Sequence, residues 1–155
     1  MNQPVGYSKK VLEHFRNPHN FGTIAKPTAI GQVGNPACGD VMKLYLKIDK
    51  NKNGDDFIKD IKFETMGCAA AIATSSVVTD LAKGQTLEDT LKLDNKDVIK
   101  ALDYLPDIKI HCSLLAIDAL TEAIHNYYQE TNHSIPEVLQ KRHDRITVCQ
   151  SRLKH

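Results

Sequence analysis

The spacing of apolar residues changes once along the chain, and that change constrains the fold more than any other feature. In VMKLYLKID, residues 41–49, apolar and polar side chains alternate, which is typical of a half-buried strand. FIKDIKFETM, residues 57–66, alternates in the same way after the turn NKNGDD, so the two segments predict a hairpin. From residue 68 onwards the spacing becomes helical. Strands therefore precede helices, and the predicted class is α+β.

Helical spacing and capping residues predict one helix before the strands and several after them. Asp94 has the position of an N-cap, and Gly84 has that of a helix stop. Residues 23–33 show neither pattern and are expected to be irregular or weakly extended. The predicted helical ranges are 8–16, 68–84, 86–93, 94–105, 112–130 and, as a further candidate, 134–148.

The length of 155 residues suits one domain with a sizeable core, and no repeat is visible. We therefore expect a single domain over 1–155, in which 132–155 is a C-terminal helical extension. The formal charge of +1 would not draw the chain to nucleic acid, and no apolar run reaches the roughly 18 residues of a membrane span. The N-terminus lacks the apolar core of a secretory signal, so the expected location is cytoplasmic, where thiols stay reduced.

Four cysteines are spread over the chain without a C-x-x-C pair, and three of them fall at the ends of predicted elements. Cys38 lies in a turn before the first strand, Cys68 lies between the second strand and a helix, and Cys112 begins the longest helix. At a helix N-terminus, unpaired N–H groups and the helix dipole favour the thiolate, which is the form that binds metals. Cys149 lies outside this pattern and is predicted not to be a ligand.

Other donors accompany two of these cysteines: Asp40 is two residues from Cys38, and His111 directly precedes Cys112. With Cys68 the set offers three sulfur donors, one oxygen and one nitrogen, and thiolate-rich sets suit zinc or iron–sulfur clusters. The spacing C-x29-C-x43-C is too open to decide between one shared metal site and separate buried cysteines. The other six histidines form no H-x-x-x-H pair, and no metal role is predicted for them.

Three long segments around the cysteines resemble those of iron–sulfur cluster assembly scaffolds of the IscU/NifU type. They are GNPACGDVMKLYLKI, MGCAAAIATSS and LPDIKIHCSLLAIDAL, and YSKKVLEHFRNPHNFG resembles the N-terminal segment of the same family. The likeness runs in order from about Tyr7 to Tyr128. It implies a SufE/NifU-like fold, with a three-stranded antiparallel sheet, helices packed on one face and long C-terminal helices. The cluster site is then expected at one exposed end.

The resemblance implies an assembly scaffold and carrier, not an enzyme. Such a scaffold accepts persulfide sulfur from a cysteine desulfurase, binds iron and builds a [2Fe–2S] cluster, or a [4Fe–4S] cluster on a homodimer. It then transfers the cluster to apoprotein acceptors. An electron-donor ferredoxin and a frataxin-like iron regulator are the further partners, where present. The family's site also takes Zn²⁺, so zinc is a candidate ligand of the cluster-free form.

The residues that match the family's functional positions are the five donors described above. Cys38, Cys68 and Cys112 match its three cysteines, and Cys112 matches the usual persulfide acceptor. Asp40 matches the aspartate whose lability aids cluster release, and His111 matches the histidine before the third cysteine. The resemblance thus implies one cofactor and metal site lined by all five residues, with Asp40 or His111 as the fourth ligand.

One departure from the family pattern bears on partner binding. The motif that an Hsp70-type chaperone recognises is L-P-P-V-K in the family. The segment in its place, and our predicted partner-binding segment, is Leu105, Pro106, Asp107, Ile108 and Lys109. Asp107 replaces the second proline, so docking to a dedicated chaperone is an open question for this chain.

The alternative to a scaffold is a zinc-dependent sulfur acceptor of the SufU kind, which is a sulfurtransferase. No sizeable insertion separates the second and third cysteines, and this favours the IscU branch. A Cys–His nucleophilic enzyme that uses Cys112 and His111 ranks last, because adjacent residues rarely face each other in the required geometry.

Overall fold

The computed structural model describes residues 7–35, 40–105 and 110–153, with the side chains of Asn35, Asp40, 110–112 and 149–153 outside the description. The predicted α+β class and three-stranded antiparallel sheet are confirmed. No helix in the described ranges is long and apolar enough to span a membrane. The elements are α1 (Lys9–Arg16), β1 (Ala29–Asn35), β2 (Asp40–Lys50), β3 (Asp56–Thr65), α2 (Ala69–Ala82), α3 (Leu87–Thr90), α4 (Asn95–Ala101), α5 (Ile110–Glu130) and α6 (Glu137–Leu153).

The strands form one sheet in the order β1-β2-β3, and each neighbouring pair is antiparallel. β1 ends where Asn35 pairs with Asp40, and β3 ends where Thr65 pairs with Met42. We name this end of the sheet, where β1 ends, β2 begins and β3 ends, the Asp40 end. The opposite end carries the turn between β2 and β3, residues 51–55, and is named the hairpin end.

The alternation along β2 places one set of side chains in the core, as predicted. Met42, Leu44 and Leu46 are each at most 1% exposed, and Phe63 of β3 is fully buried beside them. Helices α2 and α5 cover this face, and the hydroxyl of Ser75 in α2 donates to the sulfur of Met42 at 3.0 Å. Packing on the buried face of the sheet therefore holds α2 and α5 in place relative to the strands.

Residues 23–33 were expected to be irregular or weakly extended, and residues 29–33 are in fact part of a regular strand, β1. Two glycines in AIGQVGN lower the strand propensity of this segment and conceal it from sequence patterns. Gly31 is there because α5 passes directly over it. A Cβ atom at this position would lie 2.1 Å from the carbonyl oxygen of Ala119 and 2.5 Å from the amide nitrogen of Ala123.

The predicted helices are confirmed, with shifted bounds at several ends. Asp94 caps α4 in a capping box with Asp97, but the helix ends at Ala101 and not at residue 105. Asp103 takes a left-handed backbone conformation with φ 71°, and the chain then turns so that Leu105 packs into the core. The candidate helix at the C-terminus is α6, and it is longer than predicted.

Helix α5 runs along the sheet from one end to the other. Near its C-terminus, Asn126 Nδ2 donates to the carbonyl oxygen of Ile30 at 2.9 Å, and Tyr127 hydrogen-bonds to Asp56 beside the hairpin end. The 21 residues of α5 span roughly 30 Å, close to the length of the 11-residue strand β2. The first turn of α5 therefore lies toward the Asp40 end.

Helix α6 packs along α5 and closes the domain on that side. Leu139 is fully buried, and Ile146 is 4% exposed. Arg145 Nη2 donates to Asp118 Oδ1 at 2.9 Å, which adds an ion pair between the two helices. The contact joins the middle of α5, beyond its first turn, to the C-terminal segment.

Candidate metal centre

Cys68 is the predicted ligand whose side chain the structure describes. It is the N-cap of α2, with an extended backbone, and its carbonyl oxygen accepts the first helical hydrogen bond, from the Ile72 amide at 3.1 Å. The side chain is half-buried and makes no capping hydrogen bond to the helix. The N–H groups of the first turn of α2 surround this position, and their positive potential favours a thiolate there.

The approach to Cys68 is tied to the start of β2. The Thr65 hydroxyl donates to the carbonyl oxygen of Val41 at 2.7 Å, and the Gly67 amide donates to the Thr65 hydroxyl at 3.1 Å. The Met66 amide also bonds to the Val41 carbonyl, at 3.4 Å. Because Val41 directly follows Asp40, these bonds hold the junction that leads to Cys68 beside the first residue of β2.

His111 and Cys112 occupy the second and third positions of α5. Their backbone lies in the first helical turn, so the predicted placement of Cys112 at a helix start is confirmed. The direction of α5 brings this turn toward the Asp40 end, where β2 begins and α2 follows β3. The structure thus gathers the backbone positions of Asp40, Cys68, His111 and Cys112 at one end of the molecule.

The remaining predicted site residues are only partly covered. Cys38 lies outside the described residues, as do Pro106, Asp107, Ile108 and Lys109 of the predicted partner-binding segment. Leu105 is described and is 5% exposed, because it belongs to the hydrophobic core. Because Leu105 is buried, a partner that binds this segment would have to contact the four residues after it.

Large apolar side chains are exposed around the Asp40 end. Met66 is 90% exposed and Val41 is 40% exposed, and both flank the junction that leads to Cys68. Leu114 follows Cys112 by two residues and is 36% exposed. This end is consequently open to solvent and to other proteins, unlike a metal site that is closed inside a core.

A family model described as the NifU-like N terminal domain matches residues 6–134. The chain belongs to this family. The match begins just before α1 and includes every strand, α5 and the whole Asp40 end. Helix α6 begins at Glu137, after the matched region ends at residue 134.

Known members of the NifU-like family are similar to the chain over most of their length. A protein of Archaeoglobus fulgidus named iron-sulfur cluster assembly scaffold protein IscU 1 is 52% identical over 124 residues, which cover 80% of this chain and 78% of that protein. The IscU scaffold of Rickettsia prowazekii is 46% identical over 129 residues, or 81% and 95% of the two chains. A crystal structure of a NifU-like N-terminal protein of Brucella abortus superposes with a TM-score of 0.64 at 25% identity, covering 79% of this chain and 94% of that one.

The described residues of this chain also include two groups of candidate metal ligands that the sequence prediction missed. One is Glu122, His125 and His143, between α5 and α6, and the other is His14, His19 and Asp80, between α1 and α2. The first group contains a Glu-x-x-His spacing on α5, which was the one visible signal. His143 joins it through the packing of α6, which sequence spacing alone does not indicate.

Burial changes the titration of two groups on α5, Asp118 and His125. It lowers the pKa of His125 below its ordinary value, and the nearby His143 lowers the pKa of His125 further. Burial also raises the pKa of Asp118 from 3.8 to about 6, although the Arg145 guanidinium acts in the opposite direction. Buried or partly buried titratable side chains therefore meet at the interface between α5 and α6.

Proposed function

We propose that the protein is a scaffold on which an iron–sulfur cluster is assembled and from which it is passed to apoproteins. The observation that carries the proposal is the gathering of Asp40, Cys68, His111 and Cys112 at one exposed end of the sheet. Relatives named as IscU scaffolds support it, since they are 46–52% identical over about four fifths of the chain. The cluster is the cargo of this protein.

The donor set suits that cargo. Cys38, Cys68 and Cys112 supply three thiolates, with Asp40 or His111 as fourth ligand, and iron–sulfur clusters are held by thiolate-rich sets of four. Cys68 caps α2 and Cys112 lies in the first turn of α5, where helix N-termini favour anionic sulfur. Cys38 is two residues from Asp40, so chain continuity keeps its Cα within about 7 Å of that of Asp40.

Sulfur transfer in this proposal begins at Cys112. Its thiolate attacks the outer sulfur of a persulfide on a cysteine desulfurase, the S–S bond breaks, and the desulfurase cysteine leaves as a thiolate. Cys112 then carries the persulfide. Two electrons from a ferredoxin cleave it to sulfide, which joins iron held by the remaining ligands. The exposed apolar side chains of Met66 and Val41 suit docking of the sulfur donor at this end.

Release is the role that we assign to Asp40. A carboxylate oxygen is a harder and weaker ligand than thiolate for an iron–sulfur cluster, so one bond stays exchangeable. In the proposed function, Asp40→Ala gives a cluster that persists longer and transfers more slowly to an apoprotein. A shorter-lived cluster in this variant would contradict the assignment and favour His111 as the exchanging ligand.

Further partners and the location remain part of the same proposal. We expect a frataxin-like iron regulator where one is present, an Hsp70-type chaperone only if residues 106–109 suffice for recognition, and a homodimer for a [4Fe–4S] cluster. The expected compartment is the cytoplasm. A relative in Schizosaccharomyces pombe is named as mitochondrial, so localisation of the tagged protein is the measurement that decides the compartment.

The test is anaerobic reconstitution with iron, cysteine and a cysteine desulfurase, followed by iron and acid-labile sulfide analysis. Wild-type protein should gain iron and sulfide in equal amounts with visible absorption. Cys38→Ala, Cys68→Ala and Cys112→Ala should each lose most of this absorption, and Cys149→Ala should retain it. No cluster on the wild type, or full loading of Cys38→Ala, would overturn the proposal.

The same assay separates the scaffold from a SufU-like sulfur acceptor. A scaffold loads iron and sulfide whether or not zinc has been removed beforehand. A sulfurtransferase of the SufU kind would bind zinc without sulfide and would accelerate the desulfurase only until a chelator removed the zinc. Acceleration that chelation abolishes, without cluster formation, would therefore replace the scaffold by the alternative.

A further inference from the structure

Three potential metal ligands meet between α5 and α6, away from Cys68 and Cys112 of the Asp40 end. Glu122 and His125 are three residues apart on α5 and so lie on one helix face, and His143 faces them from α6. The candidate donor atoms of the three side chains all lie within 4.8 Å of one another. Glu122 lies ten residues after Cys112 on the same helix, which is roughly 15 Å along the axis.

The group is built around a buried carboxylate. Residue Glu122 is 9% exposed and residue His125 is 4% exposed, so both lie at the helix interface. The Nδ1 atom of His143 lies 3.0 Å from each carboxylate oxygen of Glu122. The His143 side chain is 26% exposed and forms the outer wall of the group. A carboxylate so enclosed requires a hydrogen-bonding or positively charged partner, and the His143 imidazole is the one that the structure places beside it.

His125 has a polar atom that the protein leaves unsatisfied. Gln140 of α6 is a hydrogen-bond partner of the imidazole ring. The Nδ1 atom is buried and has no hydrogen-bond partner among the residues that the structure describes. Buried nitrogen atoms of this kind are rare, and an ion that binds them is one of the established reasons for their presence. The position of His125 beside Glu122 and His143 therefore points to a ligand that contacts all three side chains.

We propose that Glu122, His125 and His143 form a binding site for one divalent transition-metal ion such as Zn²⁺. Two imidazoles and one carboxylate are a common protein ligand set for such ions, and they leave a fourth position for water. The ion would satisfy the buried carboxylate and the unpartnered nitrogen together. It would also join α5 of the NifU-like domain to α6, which lies beyond the region that the family model matches.

Metal binding requires one movement. The rings of His125 and His143 are stacked, with centroids 3.6 Å apart and planes 8° from parallel. Nitrogen lone pairs lie in the ring planes, so stacked rings direct them side by side and not toward one point. His143 is the more exposed of the two rings and rotates out of the stack, while the ion replaces the hydrogen bond between His143 and Glu122.

The second group of candidate ligands is a weaker site and provides the control. His14 Nδ1 is hydrogen-bonded to the Ser76 hydroxyl at 2.7 Å, and His19 Nδ1 lies 2.5 Å from a carboxylate oxygen of Asp80. The other carboxylate oxygen of Asp80 accepts from Asn20. Each of these side chains has a partner within the protein, and the His19 and Asp80 side chains are 54% and 42% exposed.

The test uses the full chain with all four cysteines replaced by serine, so that only nitrogen and oxygen ligands remain. Co²⁺ and Zn²⁺ are titrated separately, with calorimetry for both and visible absorption for Co²⁺. One equivalent should bind, and bound Co²⁺ should show d–d absorption without thiolate-to-cobalt charge transfer. His143→Gln and Glu122→Gln should weaken binding by more than the roughly 10- to 100-fold that loss of a residue supporting a metal ligand costs.

The matched control is His19→Gln in the same background, which should keep both the affinity and the spectrum. Zn²⁺ should also raise the melting temperature of the cysteine-free chain, and His143→Gln should abolish that rise. Absence of binding, unchanged affinity in His143→Gln, or loss in His19→Gln alone would each overturn the proposal. Far-ultraviolet circular dichroism verifies that each variant is folded.

A second measurement covers a cysteine-free chain that does not fold. Wild-type protein is then titrated with Co²⁺ beyond the equivalents that give thiolate charge transfer. The proposal is supported if a further equivalent of Co²⁺ then binds with d–d absorption alone and this equivalent is missing in His143→Gln. If wild-type protein binds no such further equivalent, the proposal is overturned. Cluster assembly at the Asp40 end uses other residues, so neither outcome depends on the proposed scaffold function.

Discussion

The two halves of α5 carry potential metal ligands of different kinds in different surroundings. The first turn holds His111 and Cys112 at the open Asp40 end, close to where Cys68 caps α2. The second half presents Glu122 and His125 to α6, where both are nearly buried. One end is rich in soft sulfur donors and exposed, and the other has only nitrogen and oxygen donors and is enclosed by a second helix.

The difference concerns how easily each site exchanges what it holds. Ligands at the first residues of helices have main-chain helical hydrogen bonds on one side only, and the exposed Met66 and Val41 show that partners can reach this end. Ligands in the middle of a helix are held by main-chain hydrogen bonds on both sides, and here α6 covers them. We therefore expect cargo that passes through at the Asp40 end and an ion that stays between α5 and α6.

Gly31→Ala tests whether the close contact between α5 and β1 holds both halves of α5 in position. The new Cβ would meet backbone atoms of α5, at 2.1 Å from the Ala119 oxygen, which cannot be relieved by a side-chain rotation. We expect a loss of more than about 4 kcal/mol in unfolding free energy, or failure to fold. Chemical denaturation followed by circular dichroism measures it.

Gly54→Ala is the matched control for Gly31→Ala. Gly54 lies at the hairpin end with φ +82°, and nothing lies within 4 Å of the position of a new Cβ. Its cost should be limited to the strain of a left-handed alanine, about 1 kcal/mol. A Gly31→Ala protein that is as stable as Gly54→Ala would show that α5 can shift on β1 without loss.

Much of the fold could be predicted from local patterns. The alternation in β2 and β3 and the cap at Asp94 are properties of the chain itself, and they appear where predicted. β1 could not be found this way, because Gly31 is required by the passage of α5 and not by strand propensity. The third strand was expected only from the family resemblance. The early end of α4 at Ala101 likewise follows from the packing of Leu105 into the core.

The two candidate sites differ in the same respect. Cys68 and Cys112 could be located from sequence because helix boundaries are marked by local spacing and by turns. The contact of His143 with Glu122 depends on how α6 packs on α5, and the sequence contains no pattern that reports it. Residues in motifs are thus predictable, whereas ligands that meet across a packed interface become visible only in the folded chain.

Leu139→Ala should destabilise the packing of α6 on α5 without changing any contact at the Asp40 end. Leu139 is a fully buried residue of α6, so truncation leaves a cavity and should lower the unfolding free energy by about 2–5 kcal/mol. Cluster assembly at a temperature well below the melting point should be unchanged. Val138→Ala, at a position 58% exposed, should alter neither quantity. Slower cluster assembly in Leu139→Ala would mean that the two halves are coupled through α5.

Asp118→Asn should reveal a pH dependence that belongs to the α5–α6 contact. Burial raises the pKa of Asp118 to about 6 in the folded chain, from an ordinary value of 3.8. The folded state therefore binds more protons than the unfolded state between these values, and wild-type stability falls as the pH rises through this window. Relative to wild type, Asp118→Asn should gain up to about 3 kcal/mol between pH 4 and pH 7.

Unfolding by urea at several pH values measures the effect of Asp118→Asn. Arg145→Gln sharpens the test, because removal of the guanidinium leaves the Asp118 carboxylate without its ion pair at 2.9 Å. The pH-dependent loss of stability should then extend to higher pH than in wild type. A constant difference between wild type and Asp118→Asn at all pH values would contradict the raised pKa.

Thr65→Val addresses the Asp40 end with the smallest expected effect. The Thr65 hydroxyl donates to the Val41 carbonyl and accepts from the Gly67 amide, so valine removes both bonds while it preserves shape and strand propensity. We expect a global loss of about 1–2 kcal/mol. Amide exchange should accelerate at residues 66–68 and remain unchanged around Glu122.

The control is Thr131→Val, which removes a hydroxyl bond to the Tyr127 carbonyl at the far end of α5. This variant should leave amide exchange at residues 66–68 unchanged. Equal acceleration at both places would mean that the open and enclosed halves fluctuate together, and the contrast between them would then lie in ligand chemistry alone.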